Sequence, residues 1–412
     1  MPNAPCTIAV LATLDTKGGE VSYLVDRIVD DWGCRAFVID LGVFGEPALD
    51  GSWLPDVSRR EVANAGGEKI EQLAQEADQR RAIAAMSAGA EEVVRRNYGH
   101  GSFDAIVGLG GRAGTAMATT AMRALPLGVP KVMVSTMAGG DASGYVGVKD
   151  IVMVPSIVNI DGVNRISRQV LSRTAAAVCA MARVEVQSGD DRPLIAASTF
   201  RSATPCADAC RRQLETEGLE VLVFQATGAG GRTMESLIEA GFVRGVLDLT
   251  TTECADELVG GVRTAGPSRL EAAAKSGTPA IVVPGCLDMV SFFARDTVPN
   301  EFAGRVFHHQ SDNMTLMRTS PKECGELGQV LASKLNASTG PVEVYLPLGG
   351  VSTLAAPGGP FHDPEADQAL FSALRNNLKQ SVPVTEVDAN INDPRFSYAV
   401  SDAMLRLVRD AN

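Results

Sequence analysis

Short apolar runs alternate with amphipathic stretches from the first residues of the chain. Thr7–Leu14 (TIAVLATL) has the pattern of a buried strand and ends in the polar turn Asp15-Thr16-Lys17-Gly18-Gly19. Glu20–Asp30 then places Val21, Leu24, Val25 and Ile28 on one face of a helix. Gly33 stops that helix, and Arg35–Leu41 (RAFVIDL) reads as a second buried strand. A strand, helix and strand at this spacing form a βαβ unit, so the two strands are predicted to lie parallel. A polar excursion from Gly42 to Gly67 follows, then helical sequence over Glu68–Tyr98 and a third strand at Phe103–Leu109. Gly110–Thr115 is a glycine-rich turn opening a helix over Ala116–Leu125. Lys131–Ser135 is the fourth strand, Thr136–Asp141 its turn, Ile151–Val154 the fifth strand, and Val163–Arg183 a closing helix.

After a connector at Gln187–Pro193 the plan restarts. Leu194–Thr199 matches the first strand, Cys206–Glu217 the first helix and Val221–Gln225 the second strand; Gly241–Leu249 and Thr278–Pro284 echo the third and fourth strands. The length of 412 residues also favours two domains. The expected fold is therefore α/β: two tandem Rossmann-like doubly wound parallel-sheet domains, residues 1–186 and 193–412, with a cleft between them.

Composition refines this picture in a few places. Abundant glycine (41 residues) with only 5% aromatics suits close helix-on-sheet packing. A net charge of −12 argues against a DNA partner, which needs a basic face. The eight cysteines are scattered through apolar segments, where reduced thiols simply pack. Met1–Pro5 carries no basic leader and no apolar run is long enough for a membrane span, so the expectation is a cytoplasmic protein with no membrane partner.

In doubly wound sheets ligands bind beyond the carboxyl ends of the strands, where the strand order reverses. Three polar turns of the first half share that edge: Asp15–Gly19, Gly110–Thr115 and Thr136–Asp141. Glycines let backbone N–H groups approach a phosphate chain, and a following helix start adds partial positive charge. Thr16 and Thr115 offer hydroxyls and Lys17 a countercharge. Asp15 and Asp141 are the candidates to hold Mg²⁺ through water, although either also suits a helix cap. Gly108–Ala113 fits G-x-G-x-x-A, but the next strand ends at Val134-Ser135-Thr136 without the acid that a dinucleotide ribose requires. A dinucleotide oxidoreductase is thereby disfavoured, and the missing G-x-x-x-x-G-K-[ST] excludes a P-loop NTPase.

The second half has Thr250-Thr251-Thr252-Glu253 in place of those glycines. Its polar residues gather at His308-His309-Gln310-Ser311-Asp312-Asn313 and Arg318, so His308, His309 and Arg318 are the candidate acid/base set for a small anionic substrate.

Taken together, IAVLATLDTKG, GLGGRAGT, VSTMAGGD, TLMRT and LPLGGVS resemble the family of the ATP-binding N-terminal domain of the tomato mosaic virus resistance protein, over almost the whole chain. The resemblance implies two Rossmann-like subdomains, ATP held by the first, and a homodimer. Carried over to this sequence, the ATP contacts fall on Asp15, Thr16, Lys17, Gly110, Gly111, Gly114, Thr115, Thr136 and Gly139. Two strand-end edges of different character, one rich in phosphate-type turns and one carrying acid/base groups, give the expectation of an ATP-dependent enzyme acting on a small metabolite in the inter-domain cleft. The alternative is a non-catalytic module that responds to the nucleotide.

Overall fold

Strand β1 (Thr7–Ala12) is apolar on both faces, and its alternate residues enter two separate cores: Ala9 and Leu11 on one side, Ile8, Val10 and Ala12 on the other. A strand buried in this way needs helices on both faces of its sheet, the defining feature of a doubly wound fold. The computed structural model, which describes residues 6–49, 54–185, 189 and 191–410, shows this arrangement in each of two units, Met1–Gln187 and Ser188–Asn412. Met1–Pro5, Asp50–Trp53 of the polar excursion, and Gln187, Ser188 and Asp190 of the connector lie outside the described residues.

In the first unit β1 is followed by α1 (Leu14–Asp26), β2 (Arg35–Asp40), α2 (Arg59–Ala65), α3 (Ile70–Glu76) and α4 (Gln79–Gly99). Then come β3 (Ala105–Gly110), α5 (Arg112–Arg123), β4 (Lys131–Ser135), α6 (Ser143–Val146), β5 (Ile151–Pro155) and α7 (Arg165–Met181). The five strands are all parallel, in the order β2-β1-β3-β4-β5. Leu14, Val21 and Leu24 of α1 pack with Leu171 and Val178 of α7 on one face. Val62 of α2, Met86 and Val93 of α4, and Met117 and Met122 of α5 cover the other.

Three boundaries differ from the sequence expectation. Helix α1 begins at Leu14 and not Glu20, so Asp15–Gly19 is the opening of the helix, with Lys17 off helical geometry at φ −127°, ψ 18°. The loop after β2 presses on this opening: Ala48 N donates to Leu14 O at 2.9 Å, and a Cβ on Gly18 would lie 1.8 Å from Ala48 O. Helix α5 likewise starts at Arg112, inside the expected glycine turn. The helix expected over Glu68–Tyr98 is broken at Ala77, which sits at φ +50°, and Asp78 Oδ1 caps α4 by accepting from Arg80 N (2.9 Å) and Arg81 N (3.2 Å).

The second unit repeats the plan with β6 (Leu194–Thr199), α8 (Thr204–Thr216), β7 (Glu220–Gln225), α9 (Ala229–Glu239), β8 (Gly245–Asp248), α10 (Thr252–Val259), α11 (Ala272–Ser276) and β9 (Ala280–Val282). An antiparallel three-stranded sheet, β10 (Met289–Phe292), β11 (Phe307–Ser311) and β12 (Met314–Arg318), is an addition that the sequence reading did not contain. The chain ends in α12 (Pro321–Leu335), β13 (Val342–Pro347), α13 (Pro364–Asn377), β14 (Val384–Val387) and α14 (Pro394–Asp410). The parallel sheet runs β14-β13-β9-β8-β6-β7, so its first four strands keep the relative order found in the first unit.

Cys6 and Cys34 are joined as a disulfide with their Cα atoms 5.0 Å apart, a pairing absent from the sequence expectation of packed thiols. Cys179, Cys206, Cys210, Cys254, Cys286 and Cys324 are buried free thiols. The second unit also buries a complete ionic cluster. Arg269, 1% exposed, donates to Asp248 (2.6 Å), Glu253 (2.7 Å) and Glu235 (2.9 Å). Removing the cation alone leaves uncompensated buried carboxylates, so Arg269→Ala is expected to lose roughly 3–5 kcal/mol in chemical denaturation. A loss below about 1 kcal/mol would show that water compensates the cluster.

Candidate functional site

Helices α1 and α5 follow strands that lie side by side, yet they pack on opposite faces of the sheet. This divergence is the topological switch point, and it opens a crevice above the ends of β1 and β3. A cavity of about 290 Å³ lies there. Its polar side is the start of α1 (Thr13, Asp15, Thr16, Lys17) and the start of α5 (Gly111, Arg112, Ala113, Gly114). Its apolar side is Val43 and Phe44 of the loop after β2, Ala82 and Ile83 of α4, and Met117.

Thr115 N, bonded to Gly111 O at 2.8 Å, begins the helical ladder of α5, so the amides of Arg112, Ala113 and Gly114 have no helical partner. Gly110 must lack a side chain, since a Cβ there would sit 2.8 Å from Gly114 Cα. At α1, Thr13 O accepts from Thr16 N (3.1 Å) and Lys17 N (2.8 Å), while Leu14 N donates to Asp40 Oδ1 at 3.1 Å. Asp15 Oδ2 accepts from Val43 N (3.1 Å) and Phe44 N (3.0 Å), which fixes the apolar loop against the helix start. Asp15 Oδ1 is buried and has no partner.

The structure treats the expected nucleotide residues differently. Asp15, Thr16, Lys17, Gly111 and Gly114 line the cavity. Lys17 Nζ donates to Ile160 O, so its ammonium ties α1 to the loop after β5. Thr115 is fully buried, with its hydroxyl 2.7 Å from Ser135 Oγ and 3.3 Å from Gly110 O. Thr115 and Gly110 therefore brace the turn and are not among the residues that line the cavity. Thr136 stands beside Gly111, with its Oγ1 3.8 Å from where a Cβ on Gly111 would be. Gly139 and Asp141 are exposed on a turn outside the cavity lining. Asp141 Oδ1 accepts from Ser143 N at 2.9 Å, and bonds from Ser143 hold its carboxyl below the ordinary value, so it acts as a turn cap and does not join Asp15. Among the described residues no group of three or more His, Cys, Asp and Glu is placed to hold a metal ion.

Sequence reasoning missed the apolar wall. Phe44 lay in the unassigned excursion, and Ile83 was hidden inside one long helical stretch. The Asp78 cap was the available signal that a helix starts there and brings Gln79 and Ile83 to the cavity mouth.

The candidate acid/base set of the second half is not brought together. His308 pairs with Leu316 and His309 with Thr315 across the β11/β12 ladder, so the two imidazoles leave opposite faces. His308 packs edge-on against Phe361, 6.2 Å between centroids, whereas His309 is exposed. Asp312 and Asn313 form the hairpin turn. Arg318 is 5% exposed and fully engaged: Asp367 Oδ1 (2.7 Å), Phe361 O (2.8 Å), Thr319 Oγ1 (2.9 Å) and Asp363 O (3.3 Å) accept from its guanidinium. These bonds pin α13 to β12 and occupy the guanidinium that the sequence offered as a candidate catalytic group. Beside it, Asp288 is wholly buried, with Oδ2 accepting from Ser352 Oγ at 2.6 Å and Oδ1 unpartnered. Burial pushes its carboxyl up to about 6.

The chain belongs to the uncharacterised protein family (UPF0261): residues 6–187 match its N-terminal domain and residues 192–408 its C-terminal domain. A UPF0261 protein of Clostridium tetani is 43% identical over 97% of this chain and 98% of its own length. The ToMV resistance protein Tm-1 of Solanum lycopersicum is 40% identical over 79% of this chain and 44% of its own length. Among solved structures, a UDP-N-acetylglucosamine 2-epimerase from Rickettsia bellii aligns over 99% of this chain and 97% of its own, at 10% identity and a TM-score of 0.24. No helix among the described residues is long and apolar enough to cross a membrane.

Two outcomes follow for the second unit. His309→Ala is expected to stay within about 0.5 kcal/mol of the parent in urea denaturation, and Arg318→Ala to lose about 3 kcal/mol or more. Equal effects would contradict these assignments. For Asp288 the folded carboxyl holds its proton more tightly than the unfolded one, whose ordinary value is 3.8. Its contribution to stability therefore declines as pH rises from 3.8 through about 6. Asp288→Asn is expected to lack that decline, and an unaltered stability–pH profile would contradict the burial argument.

Proposed function

We propose that this family member binds a nucleotide, ATP by preference, in the cavity above β1 and β3. The phosphates would lie on the amides of Arg112, Ala113 and Gly114, and the base against Phe44, Ile83 and Met117. The observation that carries this reading is that two helix starts, those of α1 and α5, line one cavity at a switch point. The α5 start offers amides without helical partners, and both helix starts bring a partial positive charge, the electrostatic complement of a phosphate chain. An apolar wall opposite the polar one suits a ligand that is charged at one end and flat and apolar at the other.

The unpartnered Asp15 Oδ1 fits Mg²⁺ here, because that ion is usually bound by one or two carboxylates together with substrate phosphates. When bound it would neutralise phosphate charge, while Asp15 itself keeps the apolar loop in place through Val43 N and Phe44 N.

A nucleotide-responsive module is favoured over an ATP-consuming enzyme by the second unit. His308 and His309 diverge and Arg318 is consumed by structural bonds, so the acid/base set on which turnover was expected is not assembled.

Gly111→Val tests the site. Gly111 has an extended backbone (φ −79°, ψ −160°), and a Cβ there meets only Thr136 Oγ1 at 3.8 Å, so the variant keeps its fold while the branched side chain covers the amides. In the parent, ATP at a hundredfold excess over its Kd is expected to add about 2.7 kcal/mol of stability, read as a raised melting temperature. Gly111→Val is expected to melt like the parent without ATP and to gain nothing from it. No stabilisation of the parent by ATP, or an equal gain in the variant, would refute the site. Phosphate release measured alongside decides between module and enzyme: sustained release would restore the enzyme reading.

A further inference from the structure

We propose that a second cavity of the first unit binds a small molecule carrying a primary amine on a short hydrocarbon skeleton, with Asp40 as its counter-ion. This cavity, about 480 Å³, lies between the loop after β2 and helices α2 and α3, and shares only Val43 with the lining of the first cavity. Its walls include Val43, Pro47, Leu54, Pro55 and Ile70, a mostly aliphatic surface. The charges at its rim cancel in pairs: Arg59 bonds Glu46, and Arg60 lies 2.8 Å from Glu71. Arg59 also donates to Val43 O at 3.3 Å and to Gly45 O, so it is spent on holding the loop.

Asp40 has no ion pair of its own among the described residues, although the Arg59 guanidinium in the same lining acts on it through space. Asp40 sits at the end of β2, is 1% exposed, and lines the cavity. Its Oδ1 accepts from Gly42 N (2.8 Å) and Leu14 N (3.1 Å). Among the described residues no cationic side chain forms an ion pair with it. A carboxylate taken out of water without a cation is costly, and proteins relieve that cost by pairing it. Burial, helped by the neighbouring Asp15 charge, raises the Asp40 carboxyl above its ordinary value, despite the two amides and the nearby Arg59 charge that favour its ionised form. A ligand ammonium would supply the missing partner, and the aliphatic walls would take the carbon skeleton. A neutral alcohol would gain only the walls, and a carboxylate would meet a like charge.

The two cavities adjoin. Val43 lines both, and Gly42 separates the two acids: a Cβ on it would lie 2.9 Å from the Asp15 carboxyl carbon and 3.0 Å from Asp40 Oδ1. An amine on Asp40 would therefore sit next to the group that faces the first cavity.

The probe is n-butylamine, with n-butanol and butyrate as charge controls, titrated into the full chain at neutral pH by ligand-observed NMR. Asp40→Asn keeps the oxygen that accepts from Leu14 and Gly42 and removes the charge. Ala74→Phe, from a half-buried position on α3, fills the cavity independently. Butylamine is expected to bind the parent and Gly111→Val alike, roughly tenfold or more weakly to Asp40→Asn, and not at all to Ala74→Phe. Butanol is expected to bind weakly to parent and Asp40→Asn equally, and butyrate to neither. The proposal is overturned if the parent shows no saturable butylamine binding, if butanol binds as tightly, or if either Asp40→Asn or Ala74→Phe binds butylamine like the parent. Failure of the parent to bind ATP would sink the nucleotide reading and leave this result standing.

Discussion

A winding reversal in a parallel sheet forces the helices after two neighbouring strands onto opposite faces, and the polar groups at their starts are then left around a gap. In the first unit β1 and β3 are those neighbours, and α1 and α5 those helices. The gap stays open because small residues, Gly111 and Gly114, form its rim, and Gly110 beneath them lets α5 begin directly on the strand end. Asp15, bonded to the amides of Val43 and Phe44, gives the gap an apolar wall.

The second unit shows the same constraint resolved differently. Its reversal lies between β6 and β8, whose following helices also enter different cores. There Thr250, Thr251, Thr252 and Glu253 are fully buried, Ser198 Oγ donates to Asp248 Oδ1 at 2.8 Å and accepts from Thr250 N at 2.9 Å, and Arg269 ties Asp248 to Glu253. The Ser198 hydroxyl takes Thr250 N and the turn residues are buried, whereas the first unit has a cavity at the corresponding place. One strand order thus yields an open switch point and a filled one, and the difference is that between small glycines and hydrogen-bonding threonines.

That contrast was legible in the sequence because it is a matter of residue type at strand ends, where period and punctuation are strong. β6 falls on Leu194–Thr199, as the apolar run indicated. Helix starts were less legible. Asp15–Gly19 and Gly110–Thr115 read as turns because glycine and polar residues are poor helix formers, yet α1 and α5 run through them, supported by tertiary contacts such as that between Gly18 and Ala48. The antiparallel sheet was missed because Phe307–Ser311 is mostly polar and is a strand only through pairing with β12. The cavity lining divides on the same ground: Gly111 and Gly114, adjacent in sequence and expected at a ligand, do line it. Those contributed by a distant loop or helix, Phe44 and Ile83, are absent from that expectation, and Arg318 looked reactive because its partners Asp367 and Phe361 are remote in sequence.

Hydrogen exchange of the full chain with and without ATP tests the central claim most directly, because it reads the amides themselves. Slowed exchange is expected at residues 13–17 and 111–114, with the buried turn of the second unit at 250–253 unchanged. Protection at the second unit's turn, or none at 111–114 under saturating nucleotide, would contradict the claim.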